Sequence, residues 1–151
     1  MKVIKILFSV GLIFILVSCN NTGSTTPFGE NDKKVIIDRE IKTWEYSKTK
    51  ELNKLKEILA YDYVGYFGRK IMNENDVIQS LQKATIYSYQ IKDIKVKPLS
   101  ENVAIIYYIA DQKGISEDGT QWVPHIAAAA TYVKRNGVWY SVFYQETVLD
   151  K

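Results

Sequence analysis

Asn136-Gly137, set between "AAAATYVKR" and "VWYSVFYQET", constrains this chain more than any other feature. An Asn-Gly pair flanked by alternating apolar residues calls for a two-residue β-hairpin, and such a turn fixes which residues face each other. With Arg135 paired to Val138, one face carries Lys134 opposite Trp139, Tyr132 opposite Ser141, Ala130 opposite Phe143 and Ala128 opposite Gln145. The other face carries Val133 with Tyr140, Thr131 with Val142, Ala129 with Tyr144 and Ala127 with Glu146. In this register the Trp139 face of the last two strands holds no carboxylate, and Gln145 points the same way as Trp139. The four alanines leave room on both faces for a packed helix or a ligand.

The rest of the second half also reads as strand. "IYSYQIKDIKVKPL" alternates with one slip at Lys92-Asp93, the pattern of a bulge in a long bent strand. "NVAIIYYIAD" is apolar on both sides and belongs in the middle of a sheet. Pro124 marks a bend, bulge or edge at the start of the hairpin's first strand, because it cannot donate to a ladder.

The first half is helical. Ile37, Ile41, Trp44, Lys48, Leu52, Leu55 and Leu59 recur at spacings of three or four, which predicts one inward stripe with a break into two helices near Thr49. "AYDYVGYF" then alternates as a strand, with Tyr61, Tyr63 and Gly65 on one side and Asp62, Val64 and Tyr66 on the other. A helix of two or three turns follows, capped by Asn73 or Asn75, with Val77, Ile78 and Leu81 inward. Helices followed by a mostly antiparallel sheet make an α+β chain, its bent sheet wrapped over the amino-terminal helices.

Ahead of this domain, Lys2 and Lys5 precede an apolar run over residues 6–17, the order of an export signal. The run is well short of the roughly 20 residues that span a bilayer. Leu16-Val17-Ser18-Cys19 ends it with the only cysteine of the chain and resembles the lipobox of bacterial lipoproteins. That resemblance implies a signal over 1–18, acylation of Cys19, anchoring by several acyl chains, and residence in a bacterial cell envelope. Asn20 after the cysteine implies the outer membrane where the cell has two. Residues 19–33, rich in Asn, Thr, Ser and Gly, read as a lipidated tether, leaving 34–151 as one domain. Loss of Lys2 and Lys5 lowers the formal charge from +3 to +1, and lysines alternate with acids in "KTKELNKLKE", so nucleic acid is a poor partner.

The element order, "IKTWEYSKTKELNKLKEILAYDYVGYFG" and the end "AAAATYVKRNGVWYSVFYQETV" resemble the NTF2-like superfamily, in its SnoaL-like or DUF4440-type branch. The resemblance covers residues 35–148 and implies a cone whose mouth takes small, mostly apolar ligands. Catalytic members of that family are similar in placing an Asp/His dyad or an Asp-Arg-Asp arrangement inside the cone, and this chain departs from both. Where relatives often carry a histidine near the end of the last strand, it has Gln145, which cannot exchange a proton near neutral pH.

Tyr63, Tyr108, Tyr132, Trp139 and Gln145 are the expected ligand-binding residues, with Trp122 and His125 near a mouth or edge. Tyrosine offers apolar area and a polar tip, which suits a pocket wall. His125 and Asp62 would be catalytic only if the protein were an enzyme, a reading that requires His125, Asp62 or Glu146 to point into an enclosed cavity within hydrogen-bond reach of another polar group. One histidine and no cysteine beyond Cys19 give no metal set, and no phosphate-binding glycine loop is present; no cofactor is expected. Three functions remain: a non-catalytic envelope lipoprotein binding a small apolar or amphipathic ligand, an assembly module using the outer sheet face, with a homodimer among the partners left open, and a cofactor-free isomerase, dehydratase or cyclase.

Overall fold

A computed structural model describes residues 27–149. Cys19, the apolar run and most of the tether lie outside the described residues. The order is α1 (Glu30–Thr49), α2 (Leu52–Lys56), β1 (Leu59–Phe67), β2 (Lys70–Asn73), α3 (Glu74–Lys83), β3 (Thr85–Ser100), β4 (Val103–Ile115), β5 (His125–Arg135) and β6 (Val138–Val148). The strands form one sheet in the order β2-β1-β6-β5-β4-β3. Only the β1–β6 pair is parallel. Short β2, absent from the sequence expectation, pairs with the end of β1 and leads directly into α3.

Helix α1 takes in the last four residues of the stretch expected to be tether, Glu30 to Lys33. Gly29 is its N-cap, and the Asp32 carboxylate accepts from the Gly29 N–H at 3.1 Å. Acids in the first turn, Glu30 and Asp32, also complement the helix dipole. Asp32 is then locked into the domain: its Oδ1 accepts from Lys134 Nζ and from Trp139 Nε1, both at 2.8 Å. Phe28 packs edge-on against Trp139, with ring centroids 5.8 Å apart. The fold therefore includes residues 28–33, and the boundary at 34 is corrected.

The inward stripe of α1 is also offset by one residue from the expectation. Asp32, Ile36, Glu40, Trp44 and Ser47 are buried, while Ile41 is 43% exposed and Ile37 only partly covered. Lys48 is exposed, its ammonium 5.9 Å from the centre of the Tyr89 ring. Hydrophobic spacing misplaces the stripe because two of its members are acids whose hydrogen bonds come from distant strands. The break near Thr49 is present: Lys50 ends α1 in a left-handed conformation at φ 64°, and its ammonium donates to the Leu81 and Ala84 carbonyls at the end of α3. Asn73 caps α3 reciprocally with Asp76, at 3.0 and 3.1 Å.

Asn136 and Gly137 sit in the hairpin turn at φ 50° and 80°, and Arg135–Val138, Lys134–Trp139, Val133–Tyr140 and Tyr132–Ser141 pair as computed from sequence. Beyond that point the register slips by one. Thr131 pairs with Phe143, Ala130 with Tyr144, Ala129 with Gln145 and Ala128 with Glu146, so Val142 is an extra residue in β6. Every side chain after the bulge changes sides. A second slip lies at Lys92–Lys95 in β3, where Asp93 has φ 54°, as the sequence pattern required. These two bulges fall in a sheet whose concave face carries Ala104, Ile106, Tyr108, Ala110, Ile126, Ala128, Ala130, Tyr132, Trp139 and Tyr144 in one core with Ile36, Trp44 and Leu55 of the helices.

Candidate functional site

Between the helices and the concave sheet lies a cavity of about 390 Å³. Helix α1 contributes Glu40, Thr43, Trp44 and Ser47; β1 contributes Leu59, Tyr63 and Phe67; Val77 and Leu81 come from α3; and β6 contributes Tyr144 and Glu146. Trp122, Val123 and Gln112 line it from the β4–β5 side, and Arg69 and Lys70 stand exposed beside it at the β1–β2 turn. The volume falls in the range of small-molecule sites, and the wall is mostly apolar with a few polar groups, the make-up of such sites in general.

Glu40 is the most unusual lining residue. It is 2% exposed, and its two oxygens each accept one phenol: Tyr108 Oη to Oε1 and Tyr132 Oη to Oε2, both at 2.7 Å. Trp44 Nε1 donates to the Tyr108 oxygen at 2.8 Å, so an indole, a phenol and a carboxyl form a buried chain. Burial raises the Glu40 carboxyl above the usual range, and the two phenols offset only part of that rise. Burial is likewise the main cause that pushes the Tyr108 and Tyr132 phenols up, followed by the nearby Glu40 charge; they are donors throughout the physiological range.

Glu146 faces the same cavity from β6, half-buried, with the Tyr144 hydroxyl at 3.3 Å from its Oε2. Burial raises its carboxyl too, with the Tyr144 hydrogen bond working in the opposite direction. Its position follows from the Val142 bulge. Without the extra residue, Gln145 would face inward; with it, Gln145 pairs with Ala129 on the outer side and is exposed. The expectation that the Trp139 face lacks a carboxylate is therefore corrected, as is the placement of Gln145.

The remaining expected residues divide three ways. Tyr63 and Trp122 line the cavity. Tyr108 and Tyr132 stand behind it and hold Glu40, and Trp139 is buried near Asp32, away from the lining. His125 lies on the opposite side of β5 from the buried Ile126 and Ala128, with its Nδ1 2.6 Å from Asp111 Oδ1; Lys92 holds the other oxygen of Asp111. Asp62 is exposed and takes a two-pronged hydrogen bond from Arg135, at 2.8 and 2.7 Å. Neither residue lines the cavity. Of the three residues weighed from sequence for proton transfer, Glu146 alone lines the cavity. Glu40 was missed by sequence reasoning; the only available signal was an acid at a position where the helical stripe, shifted to Ile36 and Trp44, needs an inward residue.

Trp122 owes its place to Gly114. A Cβ at Gly114 would come within 2.8 Å of the Trp122 ring and 3.0 Å of the Thr85 carbonyl oxygen. The indole rests over bare backbone, with its Nε1 donating to Ser116 Oγ at 3.1 Å. Among the described residues no group of three or more His, Cys, Asp or Glu is arranged to hold a metal ion.

No protein-family model matches the chain, and no curated protein matches it. Solved structures do. An NTF2-like protein from Cytophaga hutchinsonii superposes with a TM-score of 0.72 at 14% identity, over 79% of this chain and 99% of that one. A Rhodospirillum rubrum structure, described as an NTF2-like protein of unknown function in nutrient uptake, gives 0.70 at 15%, over 76% and 98%. The association domain of C. elegans CaMKII gives 0.63 at 9%, over 78% and 96%. These identities bear on architecture alone, and on architecture the agreement extends over almost the whole of each relative: the chain has the NTF2-like fold.

Proposed function

We propose that this chain is a lipid-anchored protein of the bacterial envelope whose cone binds a small, largely apolar ligand without turning it over. The observation that carries the reading is the cavity of about 390 Å³ with an aromatic and aliphatic wall. Of the residues weighed from sequence for proton transfer, His125 and Asp62 are engaged by Asp111 and Arg135 outside it, and Glu146 lines it with only the Tyr144 phenol for a partner. Anchoring rests on Cys19 and the apolar run before it. Among the described residues no helix is long and apolar enough to cross a membrane. Two tryptophans, Trp44 and Trp122, line the cavity, so a ligand entering it changes their emission. The test is titration of the full chain in lipid nanodiscs with an apolar fluorescent probe, beside a Leu81→Trp variant that fills the cavity. Binding lost in the variant supports the reading; equal binding by both chains overturns it.

A second reading is favoured by one surface. Val64, Tyr66 and Tyr107 are exposed on the convex side of the sheet, and the Tyr66 ring lies 5.8 Å from that of Phe143. Since the association domain shares the fold, a homodimer through this face is the corresponding proposal. Sedimentation of the chain and a Tyr66→Lys, Tyr107→Lys variant distinguishes the two: a dimer abolished by the pair supports it, and a wild-type monomer removes it.

A further inference from the structure

We infer that the cone selects an organic cation, a small apolar amine, whose nitrogen is taken up between the walls that carry Glu40 and Glu146. This rests on the binding reading above and names the chemical class of its ligand. The first ground is the charge inventory of the cavity. Glu40 enters from α1 and Glu146 from β6, and the hydrogen-bond donors that reach them are all neutral phenols: Tyr108 and Tyr132 for the first, Tyr144 for the second. Neither carboxyl belongs to any of the ion pairs among the described residues, whereas Asp32, Asp62 and Asp111 each do. A carboxylate taken from water without a cation is costly, and a cation brought to it in a dry site recovers much of that cost.

The second ground is the wall. Trp44, Tyr63, Phe67, Trp122 and Tyr144 present aromatic rings to the same space, and an ammonium group is attracted to such faces, most strongly where water is excluded. An anionic ligand would meet two carboxyls and, among the described residues lining the cavity, no buried cation, an arrangement that rejects it. Arg69 and Lys70 are the basic groups near the cavity, and both are exposed, where salt and water weaken their pull. Burial opposes ionisation of both carboxyls, and an ammonium held between them acts in the opposite sense. The other titratable groups facing the space, Tyr63 and Tyr144, stay protonated, since burial raises both phenols.

The experiment uses three nearly isosteric probes, 2-phenylethylamine, 2-phenylethanol and phenylacetate, titrated calorimetrically at neutral pH into the full chain in nanodiscs, with empty nanodiscs as the blank. The amine is expected to bind at least about tenfold more tightly than the alcohol, and phenylacetate not at all. Glu40→Gln and Glu146→Gln should each lower amine affinity about tenfold or more while leaving the alcohol unchanged. Glutamine at position 40 keeps an acceptor for one phenol and gives its amide N–H to the other; should that variant still unfold, Glu146→Gln alone carries the comparison. Equal affinities for amine and alcohol, or tighter binding of phenylacetate, overturn the cation inference and leave the binding cone standing. Failure of all three probes overturns both.

Discussion

Replacing Glu40 by glutamine is expected to change the stability of this fold by an amount whose sign depends on pH. Burial raises the Glu40 carboxyl, so over a window above the unfolded glutamate value of about 4.3 the folded chain holds a proton that the unfolded chain has lost. Stability of the wild type falls through that window by about 1.4 kcal/mol per pH unit, one proton's worth, and levels off above the native value. The glutamine variant has no such proton at position 40. Below pH 4 both side chains are neutral, each with an acceptor oxygen for one phenol and a donor for the other, so the two proteins should agree to within about 1 kcal/mol. As the pH rises, the variant gains on the wild type at about 1.4 kcal/mol per unit, or roughly 5 °C in Tm for a domain of this size. Glu146 shifts in the same direction, and the comparison is therefore made in a Glu146→Gln background. Urea unfolding from pH 4 to pH 8, with constant m-values as the check on two-state behaviour, measures the difference. Parallel stability curves across that range would refute the account of Glu40 as a carboxyl buried without a cation.

Asp32→Ala should cost about 3 kcal/mol at neutral pH, roughly 10 °C, because it strands the buried Trp139 N–H and removes the partners of Lys134 and the Gly29 N–H. Its carboxyl is held below the usual range, chiefly by the Lys134 hydrogen bond, so this contribution is present above about pH 4 and fades as the pH falls through the native value; thermal melts at pH 3 and pH 7 check both points. Gly114→Ala should displace Trp122 at a cost of about 1–3 kcal/mol and shift tryptophan emission, since the new methyl overlaps the ring; an unchanged spectrum contradicts the packing described. Cys19→Ala should leave the chain unprocessed or unanchored, and intact mass of the membrane fraction decides it: an unmodified Cys19 in membrane-bound wild type removes the lipoprotein proposal.

Features set by neighbours in sequence were legible. The Asn136-Gly137 turn, the Asn73 cap, the slip at Lys92-Asp93 and the break after Thr49 each depend on residues a few positions apart, and each is present. The site was legible only in part, because its main group is stabilised by partners 68 and 92 residues away. Periodicity counts an acid as solvent-facing, and the phenols that make Glu40 an inward residue are invisible until the sheet is assembled. Asp32 was assigned to a tether for the same reason, since its donors sit 102 and 107 residues downstream. The Val142 bulge carries no glycine or proline to announce it, so the computed register ran straight through.

That bulge makes the electrostatics of the cone a matter of counting residues. Deleting Val142 would restore an unbroken ladder beyond Ser141, turn Gln145 toward the ligand and send Glu146 to the convex surface, exchanging a charged wall for a neutral one with no residue substituted. A lineage with this fold can thus change the polarity of its pocket by a single-codon insertion or deletion in the last strand. Aligning relatives through "YSVFYQET" without allowing for that gap compares inward positions of one protein with outward positions of another.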